Sequence, residues 1–349
     1  MSNLPISNPI SSPNILLVKL SSLGDVLHNL PIVWDLRARL PNARIDWVVE
    51  EGYVHLLEPL LSRGEFKGID RIIPFGLRRW KKNLFKLDTW KQFFAFKVQL
   101  QSVQYDYVIE TQGLLKSALV CALADKSQGA VVAGLANATQ YSGYEPIARW
   151  FYNCSVEVPS NCHVVDRSRR VMCSALDFPL IDRITTPVFY AESFSQSFTE
   201  KNIVGLKKPY VLCFHSTARE AKRWSNQDWI TLGQALASRG HQVVLPWGNP
   251  SERVISEELA RKIPGALVPS AFSIEEAFSV ITHAALTIGV DTGLTHLAAV
   301  LGRPTVEIYC DSPRWKTEGY WAKNICNLGD IGAPPNASEV VADSMSMLP

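Results

Sequence analysis

Along this chain, short apolar runs alternate with stretches in which apolar residues recur every three or four positions. The run Ile15–Lys19 (ILLVK) suits a strand buried on both faces. After a loop holding Ser21, Ser22 and Gly24, the positions Val26, Leu30, Val33, Leu36 and Leu40 keep helical spacing. Leu27 and Trp34 widen that face and Pro41 ends it, which predicts one helix. Ile45–Val49 predicts a second strand and Arg71–Pro74 a short third. Tyr107–Ile109 predicts a fourth, followed by the turn Thr111-Gln112-Gly113 and a helix from Leu114. From about Phe151 to Lys208 the rhythm breaks: a helix over Val164–Ala175, then Pro179, Pro187 and a polar run. A second set opens with the strand Tyr210–Phe214. It continues with helices over Trp229–Arg239, Glu252–Lys262, Ile274–His283 and Thr295–Leu301. Its other strands are Gln242–Pro246, Leu286–Val290 and, as the last, Thr305–Tyr309.

Repeated β-α order predicts an α/β protein with mostly parallel, doubly wound sheets. At 349 residues the chain is too long for one ordinary core, so two domains are expected. Residues 1–178 form the first and 209–335 the second, joined by a linker over 179–208. Residues 336–349 are expected to be a tail or helix that packs back on the first domain. Two such domains facing each other place ligands at the carboxyl ends of their strands, in a cleft.

A net charge of +2 speaks against bulk polyanion binding, so no nucleic-acid partner is expected. The seven cysteines show no CxxC or Cys/His metal spacing, which suits buried, reduced thiols in a cytoplasmic protein. Residues 1–14 are polar with three prolines and do not resemble a signal peptide. No apolar stretch approaches ~18 residues, so a soluble or peripheral protein is expected.

Four clusters are candidates for chemistry. In Lys19–His28 (KLSSLGDVLH), Asp25 falls in the first turn of a helix, where the helix dipole favours an ionised carboxylate. Such a carboxylate takes a proton from a sugar hydroxyl, or is a plain helix-terminal acid. In Asp291–His296 (DTGLTH), backbone N–H groups and Thr292 can cradle a diphosphate with His296 one turn in; a cap with a packing histidine is the alternative. In His215–Trp224 (HSTAREAKRW), hydroxyls and Lys222 make a second anion site, or an exposed basic loop. Arg78-Arg79-Trp80-Lys81-Lys82 offers four cations to an acidic acceptor, or is a solvated loop. There is no GxxxxGK[ST] loop, no GxGxxG after a strand, no GxSxG elbow and no DxD pair. Phosphate-loop kinases, dinucleotide oxidoreductases and a metal clamp are therefore not indicated.

Four segments together carry a family resemblance: KLSSLGDVLHNLP from Lys19, WVVEEGY at Trp47–Tyr53, TQGLLKSAL at Thr111–Leu119 and VDTGLTHLAA at Val290–Ala299. With their spacing, the chain resembles the bacterial lipopolysaccharide heptosyltransferases of glycosyltransferase family nine, over about Ile15–Leu328. The SSLGD and WVVEEGY forms are similar to the type I branch. The resemblance implies a GT-B fold of two Rossmann-like domains and transfer of heptose, with inversion, from ADP-heptose to Kdo of Kdo-lipid A. It implies a monomer at the cytoplasmic face of the inner membrane, with no cofactor or metal. By motif matching, Asp25 is the base and Lys222 the diphosphate lysine. Thr217, Glu252 (ribose), Phe272 (adenine), Asp291, Thr292, Gly293 and His296 meet the donor. Arg78, Arg79, Lys81 and Lys82, with Ser22 and Gly24, meet the acceptor. Tyr144 stands where the family often has Arg, and Cys310–Trp321 is less glycine-rich than the family pattern. The runner-up within the family is a type II enzyme or another family-nine glycosyltransferase with a different acceptor; outside it, an inactive sugar-binding protein.

Overall fold

The computed structural model describes residues 12–180, 203–217, 219–319 and 322–348. Most of the expected linker lies outside the described residues, as does most of the N-terminal extension. The described chain divides into two compact units: residues 12–21 with 29–180, and residues 22–28 with 203–348.

In chain order the elements up to residue 175 are β1 (Asn14–Val18), α1 (Leu23–Leu27), α2 (Pro31–Arg39), β2 (Arg44–Glu50), α3 (Val54–Leu57), β3 (Arg71–Phe75), α4 (Leu77–Lys82) and α5 (Leu87–Leu100). They continue with β4 (Tyr105–Glu110), α6 (Leu115–Leu123), β5 (Lys126–Leu135), β6 (Cys154–Val156) and α7 (Val164–Ala175). The first unit's sheet runs β3-β2-β1-β4-β5-β6, parallel throughout, with Ile15 paired to Ile45 on one side and Tyr107 on the other. The four β1 residues after Asn14 are fully buried, as an apolar run between two helical layers requires. The order reverses between β1 and β4, and at such a switch point ligands meet the strands' carboxyl ends.

The second unit holds β7 (Tyr210–Phe214), α8 (Asn226–Ser238), β8 (Gln242–Val244), α9 (Pro250–Ala260), α10 (Ile274–His283), β9 (Leu286–Val290) and α11 (Gly293–Val300). β10 (Thr305–Tyr309), α12 (Arg314–Thr317), β11 (Ile325–Gly329) and α13 (Ala337–Met347) complete it. Its parallel sheet runs β11-β10-β9-β7-β8, and the switch lies between β7 and β9.

Three expectations need correction, and the C-terminal segment gains a defined place. The single helix after the first loop is two, because Pro31 supplies no N–H to a helix arriving from α1 and starts α2 as its N1 residue. Residues 22–28, carrying α1, group with the second unit. The final strand is β11, whose mixed, half-buried sequence ICNLG gave no apolar run. The C-terminal helix packs on the second unit's own core, through Val340, Val341 and Met345. Of the cysteines, all free, Cys154 and Cys326 are half-buried and the other five buried.

Candidate active site

The two strands at the second unit's switch point end in the two anion-site motifs. The loop after β9 begins with Asp291, which is buried and accepts from several donors. His296 Nε2 lies 2.9 Å from Oδ1; Lys222 Nζ and Ser312 Oγ lie 2.5 and 2.6 Å from Oδ2. His296 Nδ1 reaches Glu307 Oε1 of β10 at 2.8 Å, and the other Glu307 oxygen accepts from Tyr309 OH. Burial opposes a charge on His296, but Glu307 and Asp291 overcome it and hold the imidazolium up to about 10. Burial likewise opposes the Asp291 carboxylate, and bonds from His296 and Lys222 still hold it well below the usual carboxylate range. The cations named from the sequence are thus set in place by carboxylates. Ser312 and Glu307 carried no motif signal; an acid in the middle of the apolar strand TVEIY was the available clue.

Beside Asp291 a cavity of about 250 Å³ is lined by Thr217, Glu252, Phe272 and Thr292, together with Ser216, Trp247, Ile274 and Leu294. The structure therefore brings together four of the expected donor residues around one pocket with an apolar wall and a polar edge. Asn249 caps α9 by accepting from Glu252 N, and the Glu252 carboxylate in turn accepts from Gly248 N at 2.7 Å. His215, buried, links Ser216 Oγ (2.9 Å) to Ser256 Oγ of α9 (2.8 Å). Burial, aided by Arg223, pushes its imidazole down to about 4, so it is a neutral strut under the pocket loop.

α1 packs against α11 in the same unit. A Cβ on Gly293 would come within 2.1 Å of Leu23 Cδ2, so a larger residue there would have to displace the Leu23 side chain, and the rings of His28 and His296 meet edge-on at 4.5 Å. Gly24 lies over His296, where an added Cβ would stand 3.4 Å from Cδ2. Asp25 Oδ2 accepts from Ser22 N (3.1 Å) and Ser22 Oγ (2.9 Å). The helix-terminal role considered for Asp25 is thus filled by one of its oxygens. Ser22 and Gly24, named for the acceptor, lie here beside the donor-side motif.

The basic cluster is helix α4 and not a loop. Arg78 Nε pairs with Glu50 Oε2 at 2.7 Å, and Arg79 Nε reaches Glu51 Oε2 at 3.1 Å. Lys116 of α6 bridges Glu50 Oε1 and Ser21 Oγ, each at 2.9 Å. Gln112 fixes the loop after β1, accepting from Leu20 N and Ser21 N and donating to Ser21 O. A cavity of about 530 Å³ is lined by Glu50, Glu51, Tyr53, Arg78, Arg79 and Lys82, among others. Lys81 is not with them: it lines a separate apolar groove. Lys116, Gln112, Glu50 and Glu51 lay inside quoted motifs, yet nothing in their spacing tied them to α4. Tyr144 donates to Ala136 O at 2.8 Å and packs over Gly113, a structural role for this departure.

Residues 93–344 match the model of glycosyltransferase family 9 (heptosyltransferase). Lipopolysaccharide heptosyltransferase 1 of Escherichia coli K12 is 34% identical over 341 residues, 96% of this chain and 99% of that protein. The structure of E. coli heptosyltransferase WaaC with ADP superposes with a TM-score of 0.79 at 30% identity, covering 96% of this chain and 99% of that one. The same enzyme with ADP-2-deoxy-2-fluoro heptose gives 0.74 at 30% identity, covering 95% and 98%.

Proposed function

The chain belongs to glycosyltransferase family 9, and from that premise we propose that it transfers heptose from ADP-heptose to Kdo of Kdo-lipid A, in the inner core of lipopolysaccharide. The observation that carries this reading is the second unit's cavity, where Thr217, Glu252, Phe272 and Thr292 converge beside the Lys222–Asp291–His296–Glu307 chain of charges. Phe272 packs on the adenine, Glu252 takes ribose hydroxyls, and Thr217 and Thr292 bond phosphate oxygens. Asp291 and Gly293 shape the turn that presents the first N–H groups of α11 to the diphosphate. Two structures of one relative support the donor: E. coli heptosyltransferase WaaC with ADP and with ADP-2-deoxy-2-fluoro heptose.

In the reaction a Kdo hydroxyl attacks the anomeric carbon of the heptose from the face opposite the diphosphate. Asp25 takes the hydroxyl proton as the new C–O bond forms. The bond from that carbon to the diphosphate oxygen breaks, and ADP leaves with its growing charge met by Lys222 and His296. Configuration inverts because one displacement occurs. Arg78, Arg79 and Lys82, with Lys116, take the acceptor's carboxylates and phosphates. Glu50 holds Arg78 and Lys116 ready, and Glu51 holds Arg79. No helix among the described residues is long and apolar enough to cross a membrane. The protein works as a peripheral monomer at the cytoplasmic face of the inner membrane, where its lipid acceptor lies.

The test is transfer from ADP-heptose to a panel of acceptors: lipid A with one Kdo, two Kdo, phosphorylated Kdo, or Kdo already carrying heptose. ADP release and product mass are read. Transfer only to the heptose-bearing acceptor would make this a type II enzyme, and no ADP release with any acceptor would overturn the reading.

A further inference from the structure

Helix α5 carries two apolar stripes, and the core uses one. At about 100° per residue, Thr89, Phe93, Phe96 and Leu100 share a face directed into the first unit, where Phe93, Phe96 and Leu100 join the core. Leu87, Trp90, Phe94 and Val98 form a second stripe roughly 135° away. All four are exposed, Leu87 at 81% and Val98 at 70%. Just before α5, Phe85 stands wholly in solvent, at 103%.

This exposure is built. Asn83 O accepts from Lys86 N (3.0 Å) and Thr89 Oγ1 (2.8 Å), and Trp90 Nε1 donates to Leu84 O at 3.0 Å. These bonds fix the turn that thrusts Phe85 outward. Contiguous with the stripe, Leu84, Trp90 and Leu119 border the apolar groove of about 720 Å³ that also holds Lys81.

The charges beside this surface are mostly positive, with Glu145 at the groove as an acid from outside the segment. Between Lys81 and Lys97 there are five lysines and a single acid, Asp88. Lys91 and Lys97 lie at the two margins of the outer stripe, about 55–65° from its centre. A long lysine stem along an apolar face with its ammonium at the edge is how a basic side chain sits at a lipid–water boundary. A second copy of this chain docked symmetrically on the same patch would bring lysines against lysines.

We propose that the Leu84–Val98 surface is the membrane-docking face of this protein, with Phe85, Leu87, Trp90 and Phe94 entering the lipid interface and Lys86, Lys91 and Lys97 meeting anionic headgroups. The peripheral location put forward above rests on the family reading; this face gives it a place on the molecule. Its partner is a bilayer surface bearing anionic phospholipid. Apolar insertion supplies the binding strength and the lysines the preference for negative lipid.

The experiment is co-flotation of the full chain with vesicles of phosphatidylcholine, alone or mixed with phosphatidylglycerol. Binding is expected to the mixed vesicles and to weaken with salt. Phe85→Gln with Phe94→Gln should lower partitioning about tenfold or more, and Lys86→Gln with Lys91→Gln should remove the preference for anionic lipid. Both pairs are surface changes, so ADP binding by calorimetry and the melting curve should stay at wild-type values. Wild-type protein that ignores anionic vesicles, or an aromatic double variant that floats equally well, would overturn the proposal. So would a concentration-dependent dimer abolished by the aromatic variants. Vesicle binding by a chain that fails to bind ADP would sink the family-based function and leave this face standing. ADP binding and transfer without vesicle binding would do the reverse.

Discussion

Lys222 Nζ lies 2.5 Å from Oδ2 of Asp291, a residue 69 positions further along the chain. The lysine assigned to the leaving diphosphate is therefore part of a balanced row: Lys222, Asp291, His296 and Glu307 carry two charges of each sign. On the function proposed above, an incoming diphosphate would share Lys222 with Asp291 and would not have to order it.

This arrangement makes Lys222→Ala worse than the loss of one cation. The variant removes a charge-assisted bond to the donor and leaves Asp291 less compensated beside it. ADP affinity is expected to fall about 10–100-fold, the scale of one charged hydrogen bond. Adding Asp291→Asn should recover part of that loss, a coupling of at least ~1 kcal/mol in a double-mutant cycle. Asp291→Asn alone should lower stability by about 3 kcal/mol, because it strips a carboxylate from two cations in a buried network. Calorimetry with ADP and thermal melts of the three variants check this; strictly additive ADP affinities would mean that the pair acts independently.

Asp25 has one oxygen occupied by Ser22, and this sharpens its test. Asp25→Asn keeps the side chain's size but cannot accept a proton. The expected loss in kcat is about 10²–10⁴-fold, with donor affinity retained. Ser22→Ala deletes only one capping bond and should cost far less, on the order of 1 kcal/mol of stability with kcat within a few-fold. Equal kcat losses in the two variants would make Asp25 a cap and nothing more.

How far the sequence led can be judged at these residues. Apolar runs such as ILLVK and LTIGV located buried parallel strands, because a strand covered on both faces has no polar positions to alternate. The ends of those strands then located the loops that hold Lys222 and Asp291. β6 and β11 were missed because short edge strands, partly exposed, carry no such run, and β5 because its first half, KSQGA, is mostly polar and exposed or half-buried. The partners of the named cations, Glu307, Ser312 and Glu50, come from other strands or loops, and local spacing does not report pairing across a sheet. Likewise the apolar spacing of α5 fits two faces, and only packing tells which one is spare.

The cations of α4 divide by partner. Arg78 and Arg79 are tied to Glu50 and Glu51, while Lys82 lines the same cavity. Arg78→Glu with Lys82→Glu should raise the acceptor KM at least tenfold and leave ADP affinity unchanged, since every nucleotide-side residue lies in the other unit. Charge steering is screened over about 8 Å at physiological ionic strength, so wild-type KM should climb with salt more steeply than the variant's. Steady-state kinetics across a salt series, beside ADP calorimetry, make the measurement. A variant that loses ADP binding while keeping its acceptor KM would reverse the roles of the units.

Two buried histidines in the second unit set opposite limbs of a stability profile. His296 keeps its proton up to about 10 in the folded protein, whereas an unfolded histidine releases it near 6.5. Its contribution is complete below pH 6.5 and is lost as pH rises toward 10, because across that window the folded chain holds a proton that the unfolded chain has shed. His215 is the reverse. Its folded value is near 4, so between pH 6.5 and 4 the unfolded chain binds a proton that the buried ring refuses. That contribution is complete above pH 6.5 and fades as pH falls. Asp291, held low, adds a loss only further into acid. Stability should therefore peak near neutrality, each histidine contributing a slope of at most about 1.4 kcal/mol per pH unit for one proton. Above about pH 8.5 the buried thiols of Cys121 and Cys213, which burial pushes up, steepen the alkaline limb further. His296→Gln should lower stability overall and flatten the alkaline limb, while His215→Gln should flatten the limb between pH 6.5 and 4 and leave the alkaline one intact. Denaturant melts of the three proteins from pH 4 to 10 decide it, and curves that run parallel at every pH would show that neither ring holds the protonation state assigned to it.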